Sequence, residues 1–130
     1  MQLTIYRGLP GSGKTTLALK QHPQVFHLEN DMLLMDNGQY KWTKARQKKA
    51  VAWCQEMART ALENGMDVVV SNVFSRRDYI QPYAKMASDF SAAFRVVRCT
   101  GKWKNVHDVP ASTLAAMASG FEDWPGEEIA

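Results

Sequence analysis

The sequence predicts an α/β fold in which a small parallel sheet of about four to five strands lies between two layers of helices. Two observations carry that expectation. Apolar residues recur with a period of two in some stretches and at three to four in the stretches between, the alternation expected of strands joined by helices. The segment MDVVVSN (Met66 to Asn72) is a valine run, as expected of a parallel strand covered on both faces. Right-handed strand–helix–strand crossovers then place successive strands in one sheet. At 130 residues the chain, residues 1–130, is expected to be one domain, since domains run roughly 100–200 residues.

The elements follow in order. LTIYR (Leu3 to Arg7) reads as a short buried strand, and KTTLALKQ as a helix that stops before Pro23. QVFHL (Gln24 to Leu28) is a second strand. DNGQY is a polar turn ahead of a long helix from about Lys41 to Asn64. In that helix Ala50, Trp53, Cys54, Met57, Ala58, Ala61 and Leu62 recur three and four apart and form one core-facing stripe. Gly65 is placed to end it in a left-handed conformation. After the valine strand, Ser75 and Asp78 form a capping box for a helix reaching about Ser88, with Pro82 expected to delay or kink its start. AAFRVVRCT supplies a further strand. VPASTLAAMASG reads as a helix with proline near its first turn and Gly120 after its end. The acidic tail, FEDWPGEEIA (residues 121–130), is expected to be loose, with Phe121 and Trp124 as its docking residues.

Composition excludes several classes. At 45% hydrophobic residues the chain can bury an ordinary core. Its net charge of +3 permits an anionic partner without requiring one. Cys54 and Cys99 form no ligand cluster and read as two buried thiols in a reducing compartment. MQLTIYR lacks the features of a signal peptide, and no run approaches the ~18 apolar residues of a membrane span. A cytoplasmic protein is the expectation.

The chemistry starts in YRGLPGSGKTTLA, where helix-weakening residues stand directly before a helix. Gly8, Gly13, Lys14 and Thr15 match G-x-x-x-x-G-K-[ST], the P-loop or Walker A motif. Glycine brings the backbone against a ligand without obstruction, so that loop amides and the first helical turn cradle phosphates. The phosphate-binding residues are Gly8, Pro10, Gly11, Ser12, Gly13, Lys14, Thr15 and Thr16. Lys14 reaches the β- and γ-phosphates, and the Thr15 hydroxyl is the expected Mg²⁺ ligand. With glycine at about 7% of residues, four fixed positions match by accident in well under about 1% of chains this long. A nucleoside triphosphate with Mg²⁺ is the expected ligand, and the motif does not separate ATP from GTP.

No N/T-K-x-D motif of a GTPase is present, and VVVSN ends in Ser71 and Asn72 where a motor ATPase carries its acidic Walker B residue. The remaining motifs resemble the polynucleotide 5′-hydroxyl kinase branch of small P-loop kinases, which includes the kinase domain of phage polynucleotide kinase and short phage or bacterial proteins. The resemblance runs from RGLPGSGKTTLA through FHLENDM and DVVVSNVFSRRDYIQPYAKMA to NVHDVPASTLAAM, nearly the whole chain. It implies a kinase that moves the γ-phosphate of ATP to a hydroxyl, with a nucleic-acid 5′ end as acceptor. It also implies that Asp31, just after the second strand, is the general base. Strand carboxyl ends line the cleft of such a sheet, which suits that role. Glu29 is the competing carboxylate, and Asp31 also reads as a cap or turn residue.

The chain departs from the branch at three positions. Asn72 replaces a common Asp, Phe74 a common Asn, and Leu34 falls where the phage enzyme has an acceptor-holding Arg. The Asn72 amide is a candidate contact for a metal-bound water or an acceptor phosphate. GKWKNVHDVP (about 100–110) resembles the branch's lid, with Lys104 where relatives carry the catalytic Arg, and His107 as either a phosphate or base contact or a structural residue. Arg76 and Arg77 are candidate contacts for acceptor phosphate or γ-phosphate. Lys41, Lys44, Arg46, Lys48 and Lys49 around Trp42 read as a nucleic-acid groove or as a solvated helix face. Two other functions stay open. One is a kinase for a nucleoside, nucleotide or metabolite; the other is a nucleotide-dependent binding module without turnover, such as a phage modulator of a host protein.

Overall fold

The computed structural model describes residues 1–101 and 110–130. Five parallel strands form one sheet: β1 (Gln2–Arg7), β2 (Phe26–Leu28), β5 (Val68–Asn72), β6 (Ala93–Arg98) and β7 (Glu128–Ile129), in the order β2-β5-β1-β6-β7. Between them run α1 (Lys14–Gln21), α3 (Lys44–Glu63), α4 (Arg77–Asp89) and α5 (Ala111–Ser119). This is the expected parallel α/β architecture, with β1 at the centre. Leu3 and Ile5 of β1, with Val68 and Val70 of β5, pack with Cys54, Ala58, Ile80 and Tyr83 of α3 and α4. Tyr6 and Val69, on the opposite face, pack with Ala18 of α1. The period-two alternation of the strands thus feeds two helical layers.

The ends of α3 follow from its sequence. Thr43 stops the helix short of Lys41, because its hydroxyl accepts from the Arg46 N–H at 3.0 Å and makes it the N-cap. At the other end Gly65 is left-handed (φ 74), with the Gly65 N–H on the Leu62 carbonyl and the Met66 N–H on the Ala61 carbonyl. That is a Schellman closure.

Three expectations are corrected. DNGQY is not a simple turn: Met35–Asp36 (β3) and Gln39–Tyr40 (β4) pair as an antiparallel hairpin over Asn37 and Gly38, both at positive φ. A four-residue helix, α2 (Asp31–Leu34), precedes it. The Ser75–Asp78 capping box does not form. Arg76 is the N-cap of α4 without a side-chain bond, and the Arg77 N–H is instead satisfied by Glu122 Oε1 at 2.8 Å. Pro82 lies inside α4. The tail is not loose either. Its last residues form β7 beside β6, Trp124 packs edge-on against Phe94, and Glu127 meets the wholly buried Arg7 at 2.7 Å. A buried guanidinium requires a partner, and the tail carries it.

Candidate active site

The P-loop leaves the C-terminal end of β1 and turns into α1. A Cβ on Gly8 would lie 2.3 Å from Ser12 Oγ and 2.7 Å from the Cys99 carbonyl oxygen, so only glycine fits there. Gly11 and Gly13 are left-handed (φ 82 and 83), and Gly13 is the N-cap of α1. The N–H groups of Lys14, Thr15 and Thr16 fall in the first turn of that helix, where they lack intrahelical partners. The Ser12 hydroxyl is buried and has no hydrogen-bond partner among the described residues. An orphaned hydroxyl, free amides and a lysine converging on one glycine-walled cradle fit a phosphate group. Thr15 lies in the first turn of α1, beside that cradle. Burial lowers the Lys14 pKa, while Asp31 first and Glu29 second pull it back up; lysine and both carboxylates therefore share one electrostatic environment.

Asp31 begins α2 directly after β2, at the carboxyl edge of the sheet. Tyr40 of the hairpin neighbours it, and burial first, then the Asp31 carboxylate, raise the Tyr40 pKa. Asn30, one residue earlier, is tied to Asn72: its N–H donates to Asn72 Oδ1 at 2.8 Å, and Asn72 Nδ2 donates to Asn30 Oδ1 at 3.2 Å. His27 Nε2 lies 2.9 Å from Ser71 Oγ and 3.4 Å from Glu29 Oε1, so β2 and β5 are linked side chain to side chain below the cleft. Sequence reasoning missed Tyr40; the Asn-Gly pair two residues before Gln39–Tyr40 was the available signal for a hairpin.

The other candidates divide. Arg77 Nε donates to the Asp123 carbonyl at 2.6 Å, which commits this side chain to the tail. Arg76 is exposed and makes no ion pair among the described residues. Lys104 and His107 lie outside the described residues. Two of the three departures are packing residues. Leu34 is 1% exposed, within the core. Phe74 is buried, left-handed (φ 47) and edge-on to Tyr83, with its carbonyl accepting from Arg7 Nε and Nη2. Lys41 and Arg46 converge on Asp36 from 3.3 and 3.6 Å, and Trp42 is exposed.

A five-stranded parallel sheet flanked by helices, with a P-loop between its central strand and the next helix, defines the P-loop kinase-like fold. Residues 3–123 match the AAA domain family designated AAA_33, and the chain belongs to that family. Uncharacterized protein PM0531 of Pasteurella multocida (strain Pm70) is 30% identical over 95% of this chain and 78% of its own length. Among solved structures, a sugar kinase from Janibacter sp. HTCC2649 superposes with a TM-score of 0.70 at 16% identity, covering 100% of this chain and 83% of the other. A chain of the Pnkp1/Rnl/Hen1 complex superposes with a TM-score of 0.64 at 18% identity, covering 98% of this chain and 42% of the other. No described helix is long and apolar enough to cross a membrane.

Proposed function

We propose that the protein is an ATP- and Mg²⁺-dependent kinase that transfers γ-phosphate to the 5′-hydroxyl of a nucleic-acid end. The observation that carries this reading is that Asp31, following β2, acts electrostatically on Lys14 of the P-loop, which sets a carboxylate in the same charge environment as the phosphate-binding cation. A simple nucleotide-binding module has no need of a carboxylate acting on its P-loop lysine. The likeness to a chain of an RNA repair complex supports a polynucleotide acceptor.

In this reading the P-loop amides, Ser12 and Lys14 hold the β- and γ-phosphates. Thr15 would hold a Mg²⁺ ion, which would supply screening of the phosphate charge. Asp31 accepts a hydrogen bond from the acceptor hydroxyl and takes its proton as the new O–P bond forms and the bond to the β–γ bridging oxygen breaks. Lys104 from the lid supplies a second cation, and Arg76 and His107 contact the acceptor or the transferred phosphate. A small-molecule acceptor is the second reading. Leu34 favours it, because the position of the acceptor-holding arginine is occupied by a core residue.

The experiment offers γ-labelled ATP and Mg²⁺ with 5′-hydroxyl DNA and RNA oligonucleotides, nucleosides, mononucleotides and simple sugars. Label on an oligonucleotide end is expected. Label confined to small molecules selects the second reading, and tight ATP binding without transfer refutes both.

A further inference from the structure

Asn72 stands at the C-terminal end of β5, next to β2, and its amide turns toward Asn30. Its Oδ1 holds the Asn30 N–H and its Nδ2 holds the Asn30 side-chain oxygen. The buried Cys54 of α3 is close enough for the Asn72 amide to act on its thiol. Asn30 precedes Asp31 directly; its carbonyl accepts from the Leu33 N–H, and its side chain makes no capping bond to α2 and is held by Asn72. The hairpin supplies a second grip: the Lys41 N–H donates to the Leu34 carbonyl at 2.9 Å, Leu34 is buried in the core, and Tyr40 is close enough to Asp31 for each to act on the other.

We propose that Asn72 is a positioning residue that acts through Asn30 to present Asp31 to the acceptor, with Tyr40 closing the opposite side. The inference rests on the kinase reading of this site. It reassigns the Asn72 amide from a phosphate or metal-bound water to the backbone that carries the base. An amide suits the task because it offers an acceptor and a donor without charge. The grip matters because transfer requires the reacting atoms in near-attack geometry, and an error of about 1 Å costs on the order of 100-fold.

The test uses four variants of the full chain. Asn72→Ala removes both bonds. Asn30→Asp keeps them, since the new carboxylate still accepts from Asn72 Nδ2. Asn72→Asp keeps them once the Asn30 amide turns over to donate. The double variant N30D/N72D sets two carboxylates face to face with no proton between them. Each is measured for single-turnover transfer, for Mg²⁺–ATP affinity on the same preparation, and for hydrogen exchange at the Asn30 amide. Asn72→Ala is expected to slow transfer roughly 10–100-fold with nucleotide affinity unchanged within about twofold. Exchange at the Asn30 amide should quicken by about tenfold or more. The single acid variants should keep transfer within about fivefold, and the double should lose far more than their combined effect. That pattern decides the question even if Asn72→Ala does not fold.

Unchanged transfer in Asn72→Ala overturns the proposal. So does a parallel loss of nucleotide affinity, which would put the amide on nucleotide or metal, and so does additivity in the double variant. A wild-type protein that transfers to no acceptor refutes the kinase reading. Exchange then judges the grip separately: faster exchange at Asn30 in Asn72→Ala upholds it, and unchanged exchange overturns it.

Discussion

Arg7 and Glu127 form an ion pair at 2.7 Å between the last residue of the central strand and the acidic tail, with the Arg7 side chain wholly buried. The same guanidinium donates to the carbonyls of Phe74 and Glu122 and lies 4.3 Å from the Phe121 ring centroid. It therefore joins the base of the P-loop, the β5–α4 turn and the C-terminal strap. Removing one partner leaves a buried charge uncompensated, which costs about 3–5 kcal/mol. Glu127→Ala is expected to lower the unfolding free energy in urea by that amount. Glu127→Gln should cost less, because it keeps a hydrogen-bond acceptor for Arg7. Equal stability of Glu127→Ala and wild type would show that the strap contributes nothing.

Lys14→Ala should leave a folded domain that has lost its grip on triphosphate. A hydrogen bond to a charged group contributes roughly 1.5–3 kcal/mol, or about 10–150-fold in affinity. Calorimetry with ATP measures the loss, and circular dichroism checks the fold. A folded variant with wild-type affinity would remove Lys14 from the site.

Asp31→Asn keeps size and hydrogen-bonding reach but cannot take a proton. Nucleotide affinity should be nearly unchanged while transfer falls by about 10²–10⁴-fold, nearer the lower figure because a loose transition state asks little of a base. Parallel losses in binding and transfer would point to a metal or structural role. Full activity would send the search to Glu29 and Asp36.

Stability should fall on mild acidification because of His27. Burial lowers its pKa below the ordinary 6.5, against a smaller opposing pull from Glu29. Below 6.5 the unfolded chain binds a proton that the folded chain resists, so stability declines as pH drops from that value and levels off once pH is under the folded pKa. His22, lowered by burial and by Arg95, acts in the same direction. His27→Gln should flatten the upper part of the decline in urea titrations between about pH 7 and 5. An unaltered slope would mean that His27 does not contribute.

The hairpin and the strap were not legible in the chain. Two-residue strands such as Met35–Asp36 and Glu128–Ile129 are too short to show a period of two, so only the Asn-Gly pair marked the first and nothing local marked the second. The cap of α4 failed for a related reason. Ser75 and Asp78 have the right spacing, but the helix is capped one residue later, at Arg76, and its first N–H, that of Arg77, goes to Glu122, 45 residues beyond. Leu34 and Phe74 looked like lost functional residues and are core residues.

What the sequence determined by itself was whatever rests on local chemistry. The P-loop needs glycine at fixed steps and an amine one residue on, the valine run needs cover on both faces, and Gly65 closes α3 because a left-handed residue does so. Each of these is a property of a few consecutive residues. The tertiary structure alone decided which distant groups meet: Tyr40 on Asp31, Asn72 on Asn30, Glu127 on Arg7. A side-chain amide or carboxylate bonds any suitable partner within about 3 Å, and its own neighbours in sequence do not say which. Parallel strands joined by crossovers bring those partners to one edge of the sheet, and only the folded register selects among them.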